Sequence, residues 1–331
     1  MPTLELSHRL ASSLFEEDDK FPQFARFDPE GARVLIGGEG CSRSHIYDVA
    51  SGELLHELKY RYITFAGDFF PNAKQVLLAG TKHAQVFDLN TNKGVLKLKG
   101  VHVFWDNMYV AAGQGRVALP DKKGGLLAFE CSGWSQLAKL EAPKGQQFWS
   151  AAWLDDETLL ALVGVRDYND KLQRREQRAA FHVLGMDAKL GEPMLPFEMR
   201  DRAWVLSPDR KQVFVRDWDD DAVPGGSQAR LIDARSGEIR AELPVNGKPS
   251  RASKLHFCGP ERVVALETIY AKAKDSSSGR DVLSVWDLSA KSYTSIPLPR
   301  EDLGAVKALA VGPQGQLALV SYDGMTLASL A

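Results

Sequence analysis

The residues best able to do chemistry are sparse and scattered. Seven histidines (His8, His45, His56, His83, His102, His182, His256) stand singly along 331 residues. Zinc hydrolysis needs two histidines at short spacing on one element with a glutamate beside them, and no pair here has that spacing. A serine nucleophile on a strand-to-helix elbow would read GxSxG, which is absent. Gly37-Gly38-Glu39-Gly40 follows a strand-like run but opens no helix, so it does not form a dinucleotide fingerprint. Asp217, Asp219 and Asp221 alternate like the first ligands of a calcium loop. However, Ala222 stands where the sharp turn needs glycine, and Gln228 where a bidentate glutamate is required. That segment reads as a solvated acidic loop. The residues lead to the expectation of no enzyme, no cofactor and no metal.

The remaining chemistry is that of recognition. Tyr60-Arg61-Tyr62, Phe104-Trp105, Phe148-Trp149 and Arg200-Asp201-Arg202 combine aromatics with arginine. Tyr168 lies among Arg166, Arg174, Arg175 and Arg178, and Trp218 sits inside the acidic loop. Trp, Tyr and Arg dominate interface hot spots because they join large contact area to directional hydrogen bonds. The charge balance, 41 basic against 43 acidic residues for a net −2, excludes a general nucleic-acid binder, which needs excess cations to displace counterions. Apolar runs such as Leu159 to Val165 are too short to cross a bilayer, so no membrane insertion is expected. Residues 1–20 lack a basic start and apolar block and carry Glu16, Glu17, Asp18 and Asp19. The three cysteines, Cys41, Cys131 and Cys258, are odd in number and far apart. A reducing cytoplasmic compartment is therefore expected.

A repeated unit must position these groups. Its first copy runs Phe27-Asp28-Pro29-Glu30-Gly31, then Val34 to Gly38, Ile46-Tyr47-Asp48, Ser51-Gly52-Glu53 and Leu54 to Leu58. Each apolar run has strand character, and Gly, Pro, Asn or Ser marks each break. The tight-turn position recurs at Gly31, Ala73, Gly115, Glu157, Arg210, Arg262 and Gly315, at intervals of 42, 42, 42, 53, 52 and 53 residues. Proline stands two residues before it at Pro29, Pro71, Pro208, Pro260 and Pro313, as a type I turn favours. A second anchor, an apolar residue followed by an acid, falls at Tyr47-Asp48, Phe87-Asp88, Phe129-Glu130, Ile232-Asp233 and Trp286-Asp287. There the carboxylate can accept backbone N–H groups of the next hairpin. The last copy has three strand-like runs, while residues 3–9 form a run without a copy. Pairing the two removes both open edges.

Periods of 40–45 residues with four short strands are the signature of propeller blades. With Trp286-Asp287 as a literal instance of the naming dipeptide, the chain resembles the WD40-like and quinoprotein-like seven-bladed β-propellers, as a less regular, bacterial-style relative. No Gly-His pair occurs, so the polar tetrad of well-matched members is not built. The expected fold is a single all-β domain over 1–331, with four-stranded antiparallel blades and the N-terminal strand closing the last.

The extra length of copies four, five and six falls between their second and third strands: Arg166 to Arg178, Asp217 to Ala229 and Thr268 to Asp281. The first of these is expected as a projecting hairpin turning at Tyr168-Asn169-Asp170-Lys171, or as a short helix from Lys171 to Ala180. Enlarged loops on one face of a repeat mark a binding face. The expected function is a non-catalytic protein–protein interaction module, a scaffold, assembly factor or immunity-type inhibitor, monomeric on its own. Its protein-binding residues would be Tyr60, Arg61, Tyr62, Trp105, Trp149, Arg166, Tyr168, Arg174, Arg175, Arg202, Asp217, Trp218 and Asp219. Trp153 and Trp204 are expected to pack between blades. The alternatives are a metal-dependent lactonase-like or hydrolase-like enzyme with a site in the central channel, and a small-molecule sensor.

Overall fold

The computed structural model describes residues 2–10, 21–39, 43–60, 63–103, 111–113, 115–169, 174–185, 192–194, 203–216, 229–246, 250–270 and 279–331. They form seven small antiparallel sheets arranged as the blades of a propeller. Blade one contains Phe21–Phe27, Arg33–Glu39, Arg43–Asp48 and Leu54–Lys59. Blade two contains Thr64–Phe69, Gln75–Gly80, His83–Asp88 and Lys93–Lys99, and blade three Ala111–Gly113, Arg116–Pro120, Leu126–Glu130 and Gln136–Leu140. Blade four has Gln147–Trp153, Thr158–Asn169 and Arg174–Gly185. Met194 donates its N–H to the Phe181 carbonyl beyond the last of these. Blade five is Trp204–Leu206, Gln212–Arg216, Ala229–Asp233 and Ile239–Leu243. Blade six is Ser250–Phe257, Arg262–Ile269, Arg280–Asp287 and Ser292–Pro297. Blade seven joins Val306–Val311, Leu317–Ser321 and Gly324–Leu330 to the N-terminal strand Leu4–Leu10.

The N-terminal strand pairs antiparallel with the last, from Leu4 opposite Leu330 to Leu10 opposite Met325. Thr3 and Ala331 exchange both backbone hydrogen bonds beyond that ladder. The two ends of the chain thus share one blade and close the ring.

Apolar side chains explain why blades stack radially. Along one strand, alternate residues point to opposite faces, and here both faces are covered. Val34 and Ile36 of blade one pack with Ala308 and Val320 of blade seven, while Leu35 packs with Val76 and Leu78 of blade two. Equivalent clusters fill the other five joints, so each blade is sandwiched between its neighbours. Burial on both faces accounts for the continuous apolar runs. Trp153 and Trp204 lie in two of these joints, as expected.

The turn chemistry also has the anticipated geometry. Gly31, Ala73, Gly115, Arg210 and Gly315 all have positive φ, between 53° and 81°. Blades four and six depart from the repeat: in blade four Glu157 is not in the left-handed region, and blade six moves the turn. The left-handed residue of blade six is Gly259, ahead of Pro260, and Arg262 already opens the second strand. At the second anchor, Asp48, Asp88, Asp233 and Asp287 each accept a backbone N–H two or three residues on. Those hydrogen bonds hold the Asp48, Asp233 and Asp287 carboxyls below the ordinary range.

Candidate protein-binding rim and channel

The first enlarged connection is a β-ribbon. Blade four's second and third strands pair without interruption from Thr158 opposite Gly185 to Asn169 opposite Arg174. The first strand accompanies them only as far as Gln147 opposite Gly164. The five pairs from Val165–Arg178 to Asn169–Arg174 therefore extend beyond the first strand, by roughly 17 Å at strand rise. Arg166, Tyr168, Arg174 and Arg175 all lie on this ribbon, with Tyr168 opposite Arg175. The helical alternative is excluded over 174–180, where cross-strand pairing overrides local helix propensity. Tyr168 and Asn169 are ladder residues rather than turn residues, and residues 170–173, with Asp170 and Lys171 of the expected turn, lie outside the described residues.

In blade six the ladder continues to Ile269 opposite Arg280, so this insertion too begins beyond an extended hairpin. Thr268 donates its hydroxyl to Asp281 across it. Of the remaining expected binding residues, Arg61, Tyr62, Trp105, Arg202, Asp217, Trp218 and Asp219 lie outside the described residues.

Tyr60 and Trp149 are in the core rather than on the surface. Tyr60 is fully buried, its hydroxyl donating to the His83 carbonyl. Trp149 packs with Trp204 and Leu162 in the joint between blades four and five. Both sit beside an inter-blade link, where the type of residue does not distinguish an interface anchor from a joint-filling ring.

Directly beneath the rim of blades five and six lies a polar network. Arg216, the last residue of its strand, places Nη2 2.8 Å from Glu267 Oε1 and 2.8 Å from Ser250 Oγ. Ser250 also donates to Glu267, and Ser284 and Tyr293 donate to the other carboxylate oxygen. One residue from each strand of blade six thus converges with an arginine from blade five. Burial pushes the Glu267 carboxyl up, but the Arg216 charge and the hydroxyl donors outweigh it and hold the group low.

The inner wall carries a second group of charges. First strands of blades one and two, six and seven, and seven and one touch, and so line the channel. Arg26 and Asp68 stand half-buried on the first strands of blades one and two. Burial pushes the Asp68 carboxyl up to about 6 against the opposing pull of Arg26. On blade six, Lys254 sits in a bulge between Ser253 and His256 with φ 52°. Its ammonium reaches past blade seven to the Gln23 carbonyl of blade one. His256 donates Nε2–H to the Leu309 carbonyl at 2.9 Å. Burial, then the charge of Arg26, brings its pKa down to about 3, so the ring is neutral.

Among the described residues no group of three or more His, Cys, Asp or Glu is placed to hold a metal ion. Burial pushes the Cys131 thiol up to about 11, far from a reactive thiolate. Neither known protein families nor curated proteins yield a match to this chain.

Proposed function

We propose that the protein is a non-catalytic interaction module that docks another protein on the rim of blades four to six. The observation that carries this reading is the projecting ribbon of blade four. A two-stranded ribbon is marginal in water unless something supports it, and among the described residues no strand pairs with its outer edges, edges of the kind other proteins blunt or cover. Here it is rooted in a packed blade, so ordering it on binding costs little entropy. Its ladder carries Arg166, Tyr168, Arg174 and Arg175, residue types suited to interface anchors. A loop extension that was merely tolerated would need no continuous ladder.

The test replaces residues 166–177 by Asn-Gly, a two-residue hairpin turn closing the Val165–Arg178 pair. The shortened protein is expected to fold with an unchanged melting midpoint and to lose a partner that the intact protein captures from its native lysate. Equal capture by both proteins would overturn the reading.

A further inference from the structure

We propose that one face of the blade-four ribbon docks an acidic segment of the partner protein, an extended stretch with carboxylates at alternate positions. Such docking rests on the rim being a binding face and adds the chemistry of what binds there. The pairing register decides which residues share a face. In an antiparallel ladder, residues directly opposite lie on one face, and successive pairs alternate between the two faces. The ladder of Thr158–Asn169 with Arg174–Gly185 runs without a register shift, so the face of each ribbon position is fixed. Arg166–Gln177 and Tyr168–Arg175 fall on one face. Val165–Arg178, Asp167–Glu176 and Asn169–Arg174 fall on the other.

The two faces differ in charge. The second holds two arginines, one aspartate and one glutamate, and its charges cancel. Asp167 stands directly opposite Glu176, with Arg174 and Arg178 at its two diagonal positions. Like charges directly opposite disfavour a strand pair, and a cation on the diagonal, about 7–8 Å away, is near enough for a long side chain to offset them. The first face holds two arginines, a tyrosine and a glutamine and, among the described residues, no acid. It therefore carries a net charge of +2 with no counter-charge on the same face. Charges across an interface are arranged to complement one another. An acidic partner supplies what this face lacks.

The fold gives this face a definite side. Leu160, Leu162, Ala179 and Phe181 lie on it nearer the root of the ladder and pack with Trp204, Val213 and Val215 of blade five. Leu159, Ala161 and Val163, on the opposite face, pack with Ala118 and Ala128 of blade three. The basic face thus continues the surface that joins blade five, and the charge-balanced face continues the one that joins blade three. Arg166 and Arg175 stand on a diagonal of the ladder, about 7–8 Å apart. Alternate residues of an extended chain are roughly 6.4–6.8 Å apart, so carboxylates two positions apart match the two arginines. A guanidinium takes a carboxylate bidentately, and Tyr168, directly opposite Arg175, adds a residue type suited to an interface anchor. A nucleic acid is the poorer match, because the chain's net charge of −2 gives no general excess of cations.

The experiment follows binding of a dye-labelled peptide of alternating Glu and Ser to the intact protein by fluorescence anisotropy. Saturable one-to-one binding is expected. Arg166→Gln with Arg175→Gln should weaken it about tenfold or more, and Arg174→Gln with Arg178→Gln by less than about threefold. Each pair removes two positive charges from the ribbon, so only the face distinguishes them. The ribbon-shortened protein should not bind the peptide, a result that stands by itself if a pair variant fails to fold. Absence of saturation, undiminished binding by the shortened protein, equal weakening by the two pairs, or tighter binding of an oligothymidylate through Arg166 and Arg175 would overturn the proposal. So would binding that appears only when Asp217→Asn, Asp219→Asn, Asp220→Asn and Asp221→Asn are made together, because the chain's own acidic stretch would then be the occupant. If the shortened protein loses its lysate partner while the peptide does not bind the intact protein, the rim stands as a docking face and the acidic chemistry falls.

Discussion

Arg216 and Glu267 meet inside the joint between blades five and six, 2.8 Å apart, with side chains no more than 1% exposed. Removing one partner of such a pair strands a buried charge, which costs about 3–5 kcal/mol. Glu267→Ala should therefore destabilise the protein by that amount in chemical denaturation. Glu267→Gln, which keeps the shape and one of the two acceptor oxygens, should cost less. An Arg216→Met, Glu267→Leu double variant should recover much of the loss. Equal destabilisation by the single and double variants would show that the pair itself matters little.

Trp149 and Tyr60 call for stability measurements rather than binding assays. Trp149 is about 1% exposed. Trp149→Ala should cost about 3–5 kcal/mol through the cavity it leaves. Tyr60→Phe should cost about 1–2 kcal/mol by removing the buried hydrogen bond to the His83 carbonyl. A Trp149→Ala protein of unchanged stability would place the ring outside the joint.

Closure of the ring can be tested directly. Deleting residues 1–10 exposes the Gly324–Leu330 strand as an open edge and removes Leu4 from the apolar cluster between blades six and seven. Burial of Leu4 alone contributes about 1 kcal/mol. The truncated protein should melt at lower temperature and associate with rising concentration, read by size-exclusion chromatography. A monomer as stable as the full chain would contradict a shared final blade.

These elements were not equally legible in the sequence. The blades were readable because turn residues and strand runs recur at fixed offsets, a local signal repeated seven times. Blade six shows its limit: the proline kept its offset, but the left-handed residue moved to Gly259, ahead of Pro260, so the turn anchor at Arg262 was misplaced. In residues 174–180 helix-forming types yielded to the ladder, a tertiary effect outside any local window. The channel charges were not legible at all. Arg26, Asp68, Lys254 and His256 come from three blades, and only closure of the ring brings their strands to one channel. Arg216 and Glu267 likewise carry no local pattern, because their pairing is set by how two blades stack.

Asp68 has the clearest pH signature. Burial raises its folded pKa to about 6, against about 3.9 for an unfolded aspartate. A carboxyl with a raised folded pKa is best tolerated when protonated, so its cost is absent below about pH 4 and grows as pH rises through 6. Arg26 is the charge acting on it, in the opposing direction. Asp68→Asn keeps the shape and an acceptor for the Phe69 N–H, and should stabilise the protein by about 1–3 kcal/mol at pH 7.5, with little effect at pH 4. Denaturation curves of both proteins at the two pH values decide the matter. A variant no more stable at pH 7.5 than its parent would mean that the channel already solvates this carboxylate. A gain confined to neutral pH would show a charge retained at the expense of stability, the pattern expected where a residue serves a site rather than the fold.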